Sequence, residues 1–230
     1  MAKEKGGRVP RARSRAAHGG ADRSFRYKDG VTESHPFDGV PEQIVDLCQS
    51  LTDFVDRAIG IRPDYTSDTL PIVDHYLAIA RSQVEAKPAI LDLTAQAIGA
   101  YFGEVVRRHF TGMWSVPSPN FHDWQLYGQA AYFAINPIGV GYDLLTRGNH
   151  DGPSPELKMA KEDRELVAAR LESLPPEREE SYYSLGTRFE ALEIAIECIR
   201  AQAEARGYSE MVYDLEDYYS LSSGLPLPNA

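Results

Sequence analysis

The chain has 230 residues, 43% hydrophobic and 10% aromatic, with 24 Lys/Arg against 34 Asp/Glu and two cysteines. That length holds a substantial core, and the composition is that of a soluble globular protein, which excludes fibrous, low-complexity and disulfide-stapled classes. Charge is split: residues 1–30 carry nine Lys/Arg and three Asp/Glu, the rest 15 and 31, so a basic arm precedes an acidic body poorly suited to a broad phosphate-binding surface.

Residues 1–36 are rich in Arg, Gly and Ala, with almost no large apolar side chain before Phe25. Such a segment cannot offset its ordering entropy by burial, which predicts a disordered basic tail. Arg8, Arg11, Arg13 and Arg15 form a local basic cluster, a solvated tail or a contact for nucleic acid or an acidic partner. No apolar run follows it, so no secretory signal is expected. No membrane span is expected either, and the predicted location is cytoplasmic.

A first helix opens at Pro41 and closes at Gly60, with Ile44, Leu47, Cys48, Leu51, Phe54, Val55 and Ala58 on its apolar face. A second runs over 69–86, capped by Ser67 or Thr69, with Pro71 in its first turn and Ile72, Val73, Tyr76, Leu77 and Ala80 facing inward. Cys48 and Cys198 both fall on apolar faces and are read as buried, reduced thiols.

The third helix, from about residue 89, is the centre of the chain. Leu91, Ala95, Ile98, Phe102, Val105 and Val106 share one side at the helical period, and Leu93, Ala97 and Ala100 cover much of the back. Only Gln96, Glu104, Arg107 and Arg108 form a polar stripe, the pattern of a helix enclosed by its neighbours. Gly99 and Gly103 lie on one side; each weakens a helix by about 1 kcal/mol relative to alanine, so close approach of another backbone is expected there. Gly112 is the predicted left-handed stop.

Short alternating stretches follow in MWSV, WQLYGQ and AYFAIN, which predict about three antiparallel strands. Asn136–Pro137 then reads as an N-cap with proline at the first position of a short helix ending at Gly148. The runs SDTLPIVDHYLAIAR, GAYFGEVVRRHF, the Trp114 strand and INPIGVGYDLLTRG together resemble a widespread small bacterial domain family of unknown function, over residues 64–148. The resemblance implies a fold and brings no catalytic residues. PSPNFHDWQLYGQAAYF departs from the short turn it would imply between strands.

GNHDGPSP, residues 148–155, reads as a linker. Beyond it the pattern predicts an exposed helix from Ser154–Pro155 to about Leu174, stopped by Pro175–Pro176. Another starts at Glu179 or Gly186 and reaches Arg206, and a short one follows in SEMVYDLEDYYSL. The expected organisation is a tail over 1–36, a core over 37–148, a helical segment over 149–221 packed on it, and a loose end over 222–230. The fold class is α+β: helical N-terminal segment, small antiparallel sheet on a buried central helix, helical C-terminal segment.

No zinc-finger spacing, HExxH, Walker loop, GxGxxG or GxSxG occurs, so no metal or cofactor is expected. Glu104 is expected to pair with Arg108 four residues on. As catalytic candidates Glu104, His109 and His122 would have to converge in one cleft; otherwise His109 is a core histidine or a partner of its helix end. Tyr213, Asp214, Glu216, Asp217 and Tyr218 mix aromatics with acids, either as a contact surface for a basic protein or as a helix with tyrosines packed inward. The favoured function is a non-enzymatic interaction protein, immunity-like or adaptor in kind, that binds a basic partner. A hydrolase using Glu104 and a histidine is the alternative, and an accessory protein tethered to nucleic acid through residues 1–30 is the third.

Overall fold

The computed structural model describes residues 37–208 and 211–222, side chains of 221 and 222 excepted. The basic tail and all but the first residue of the C-terminal tail lie outside the described residues. Helix α1 (Glu42–Ile59) begins after Pro41 and ends at Gly60, whose left-handed φ of 77° lets its N–H close on the Asp56 carbonyl. Ile44, Cys48, Leu51, Thr52 and Val55 are its buried face. Helix α2 (Leu70–Ala86) follows a 3-10 turn at Ser67–Thr69.

Helix α3 (Leu91–Phe110) is buried on almost every side from Thr94 to Val106. Leu93, expected to be covered, is half exposed at the first turn. The segment Pro88–Phe110 is long and apolar enough to cross a bilayer, which corrects the expectation that no segment is; here that surface packs on α1, the sheet and helix α4 (Pro137–Thr146). The glycines make the closest contact. A Cβ on Gly99 would sit 2.4 Å from the Pro137 carbonyl oxygen and 2.5 Å from the Ile138 Cα. One on Gly141 would sit 2.0 Å from the Ala95 oxygen, so the α3 and α4 backbones touch. Asn136 starts α4 as the sequence predicts: its side-chain oxygen accepts from the amides of Ile138 (3.0 Å) and Gly139 (3.2 Å).

The stop of α3 differs from expectation. Thr111 takes the left-handed position, φ 56°, and Gly112 already opens strand β1 (Gly112–Ser115). Gly112 fits closely in the sheet, where a Cβ would lie 3.1 Å from the Tyr127 oxygen, a tight contact. Thr111 is held by its amide bond to Arg107 and by its carbonyl, which accepts from Gln129.

Strands β2 (Gln125–Gly128) and β3 (Phe133–Ile135) continue an antiparallel sheet, with Trp114 opposite Leu126 and Leu126 opposite Ile135. The sheet has four strands rather than three: β4 (Lys158–Met159) pairs with β3, Met159 opposite Phe133. The helix expected from Ser154–Pro155 therefore begins only at α5 (Lys161–Glu172). The backbone before it is extended against α4, where a Cβ on Gly139 would meet the Pro153 oxygen at 2.5 Å. Of the two starts expected for the helix after the prolines the later one holds: α7 spans Leu185–Ala205, the residues from Glu179 form a separate short turn, α6 (Glu179–Tyr182), and α8 (Leu215–Ser222) follows.

The start of α7 is fixed from two directions. Ser184 accepts from the Thr187 amide, and the Asp74 carboxylate of α2 accepts from the amides of Leu185 and Gly186. Burial raises the Asp74 pKa against those two bonds. One apolar cluster runs from Ile44 of α1 to Ile199 of α7, so the C-terminal helices share the core rather than cover it. Both cysteines are free; Cys48 is buried and Cys198 only half-buried.

Candidate functional site

The polar stripe of α3 becomes a buried charge cluster. Glu104 is fully buried. Its Oε1 accepts from Arg107 Nε and from the Trp114 indole N–H, each at 2.8 Å, and its Oε2 accepts from Arg107 Nη2 at 3.1 Å and Arg108 Nε at 3.4 Å. The Arg108 guanidinium in turn lies 4.4 Å from the Tyr65 ring centre and 5.1 Å from that of Phe37, a double cation–π contact with two rings that meet each other edge-to-face.

The three catalytic candidates go to three settings. Glu104 takes its hydrogen bonds from arginines and an indole. His109 is exposed rather than a core residue: its Nε2 lies 3.2 Å from Glu193 of α7, and its ring meets Phe110 and Phe189 edge-on. His122 sits on the exposed turn Phe121–Asp123, its ring stacked on Phe121. A carboxylate with both oxygens committed and no exposure offers a substrate no approach, so the cluster acts as structure that ties β1 to α3.

A second polar arrangement lies around α8. Tyr213 and Tyr218 are buried, Asp214 and Glu216 are exposed, and Asp217 is half-buried. The Asp214 side chain accepts from the amides of Glu216 and Asp217, and Asp217 accepts from the Asp214 amide. This reciprocal cap starts the helix. The Tyr218 hydroxyl accepts from the Phe133 amide at 3.0 Å and lies 2.7 Å from the Gly128 oxygen and 2.9 Å from the Phe133 oxygen. Its ring stacks on Tyr132 and tilts against Tyr127, at 4.7 and 4.4 Å between centres. Burial raises the Tyr218 pKa strongly. Two hollows of about 300 and 180 Å³ flank this cluster and share Tyr132. The larger holds Glu162, Asp163, Tyr208 and Tyr213, the smaller Tyr127, Tyr218, Tyr219 and Lys158.

A third place was not singled out by the sequence. A cavity of about 320 Å³ opens between α3, α4, β3, the extended segment before β4, α5 and α7. Phe102, Ile135, Val140, Leu157 and Leu192 make its walls, and Arg188 is its cation. Arg188 pairs with Asp143 of α4, donates to the Tyr182 hydroxyl, and lies 4.2 Å over the Tyr182 ring. His150 Nδ1 accepts from the Gly152 amide at 3.0 Å, which places the ring proton on Nε2, 3.9 Å from Asp143. Among the described residues, no group of three or more His, Cys, Asp or Glu is arranged to hold a metal ion.

Comparison of the chain with protein-family models, with curated proteins and with solved structures finds no match. The fold and these three sites define its class, an α+β protein with a glycine-packed helix pair at its centre.

Proposed function

We propose that the protein is a non-enzymatic interaction protein, of immunity or adaptor kind, that binds a basic partner through the face formed by α8 and the neighbouring sheet strands. The observation that carries this reading is the way Tyr218 is fixed. Its hydroxyl bonds to the β2–β3 backbone make α8 a rigid platform rather than a mobile tail. Beside it Tyr219 is 53% exposed and Val212 73%. Tyr132, Tyr208 and Tyr213 line the adjoining hollow with Glu162 and with Asp163, which is buried and paired to Arg206 there, so the carboxylates open to a partner are those of Asp214, Glu216 and Glu162. Fixed tyrosines give contact area at low entropic cost, and surrounding carboxylates favour a Lys/Arg-bearing partner. Tyr213 and Tyr218 support the face from within, while Asp214, Glu216 and Tyr219 meet the partner.

The test is co-purification of the native-abundance protein, wild type against a Tyr219→Ala, Glu216→Lys variant that leaves the Asp214 cap of α8 in place. A stoichiometric basic protein recovered with the wild type and lost with the variant is expected. Recovery of no such partner, or its retention by the charge-reversed face, overturns the reading.

A further inference from the structure

We propose that the hollow between the start of α5, the end of α7 and Tyr213 is the seat of one arginine side chain of the basic partner. That the arginine belongs to a partner rests on the interaction function proposed above; the preference for a guanidinium rests on the chemistry of the hollow itself. Its volume is about 300 Å³, room for one long side chain.

Tyr132, Tyr208 and Tyr213 supply three rings, and Ala160, Ile199 and Ala203 the aliphatic remainder. The rings are held in place. Those of Tyr132 and Tyr213 lie 5.6 Å apart between centres. The Tyr213 amide donates to the Gln129 carbonyl at 2.9 Å, and the Tyr208 amide to the Ala203 carbonyl at 2.8 Å. Tyr208 is 43% exposed, so its ring can be reached from outside. Aromatic faces attract cations, and groups fixed before binding lose little freedom on it.

The charges favour the same sign. Glu162 and Asp163 line the hollow against Arg206, which is paired to Asp163 at 2.9 Å. The excess negative charge is that of Glu162, which is exposed. Asp217 of α8 adds to it: burial first, then Asp163 and Asp217, hold the Tyr213 phenol above its ordinary range. An anion is therefore repelled. Between the two side-chain cations, a guanidinium is planar, stacks on rings and gives up water more readily than an ammonium, which suits walls made mainly of carbon.

The experiment is a nuclear magnetic resonance titration of the full chain with N-acetyl-arginine amide and with its citrulline counterpart, which has the same shape and no charge. The arginine probe is expected to bind in the millimolar range and to shift the ring signals of Tyr208 and Tyr213, with the citrulline probe about tenfold weaker. Glu162→Gln and Tyr208→Ala change exposed side chains and are expected to retain the melting curve. Glu162→Gln should bring the two probes within about twofold of each other, and Tyr208→Ala should weaken the arginine probe about fivefold. No binding of the arginine probe, equal binding of both probes by the wild-type chain, an arginine preference unchanged in Glu162→Gln, or shifts confined to other rings overturns the proposal. The probe needs no partner, and Tyr219 and Glu216, the positions changed for co-purification, lie outside this hollow, so failure of the hollow and failure of the partner reading are told apart.

Discussion

Trp114 donates its indole proton to Glu104 across 2.8 Å, and both side chains lie inside the fold. The ring fits because residue 103 is glycine: a Cβ there would stand 2.3 Å from the Trp114 ring. One polar bond and one missing side chain thus seat the first strand on the central helix.

Removing that carboxylate is expected to be costly. Glu104→Ala leaves the indole and two half-buried arginines without their acceptor, and should destabilise the fold by about 3 kcal/mol, the lower end for breaking a buried ion pair. Glu104→Gln keeps an acceptor for Trp114 and should cost less. Urea denaturation followed by tryptophan fluorescence measures both, and equal losses for the two variants would contradict the charge argument.

The glycines of α3 and α4 should be far less replaceable than those that end helices. Gly99→Ala drives a methyl into the α4 backbone and is expected to cost about 3 kcal/mol or more, since backbone cannot yield as a side-chain tip can. Gly60→Ala meets open space and only the strain of a left-handed φ, about 1 kcal/mol. Thermal unfolding of the two variants in parallel checks the ratio.

The two adjacent tyrosines of α8 should behave differently. Tyr218→Phe removes a hydroxyl that lies among three backbone carbonyls and accepts from one amide, with an expected loss of about 2 kcal/mol. Tyr219→Phe, on the exposed side with its hydroxyl 3.5 Å from Ser115 Oγ, should cost clearly less than Tyr218→Phe, about 1 kcal/mol or below. Chemical denaturation of both distinguishes platform from surface.

Alkaline pH should unfold the protein through its buried phenols. Burial pushes the Tyr65 pKa up to about 12, and raises Tyr101, Tyr142 and Tyr218 as well. The unfolded chain ionises these groups near their ordinary value of about 10 while the folded chain still holds the protons, so the unfolded state binds fewer protons. Stability is therefore full below pH ~10 and falls as pH rises toward 12. Tyrosinate absorbance should rise in two stages, the second coincident with loss of helical circular dichroism; a single smooth titration without unfolding would contradict this.

The helices were readable because their apolar residues repeat over several turns, and α3 was readable in detail because Gly99 breaks the propensity rule without any local reason. Strand β4 was not: two residues carry no period, and the prolines before them resemble a helix start. The Thr111 cap was hidden by the glycine beside it, which the sheet claims instead. His109 follows the apolar period of α3 yet lies outside, because the helix has reached the edge of the core and meets Glu193 there. Of the sites, the Glu104–Arg108 pair is local and was expected. The Asp143–Arg188 pair joins residues 45 positions apart, and no spacing rule announces it.

The Tyr218 hydroxyl also dictates an order of events during synthesis. It meets the Gly128 carbonyl 90 residues behind it in the chain. The β2–β3 hairpin leaves the ribosome long before its last clasp exists, so the nascent protein must carry those carbonyls wet until α8 emerges and docks. Any chain cut before residue 218 would keep that seam open.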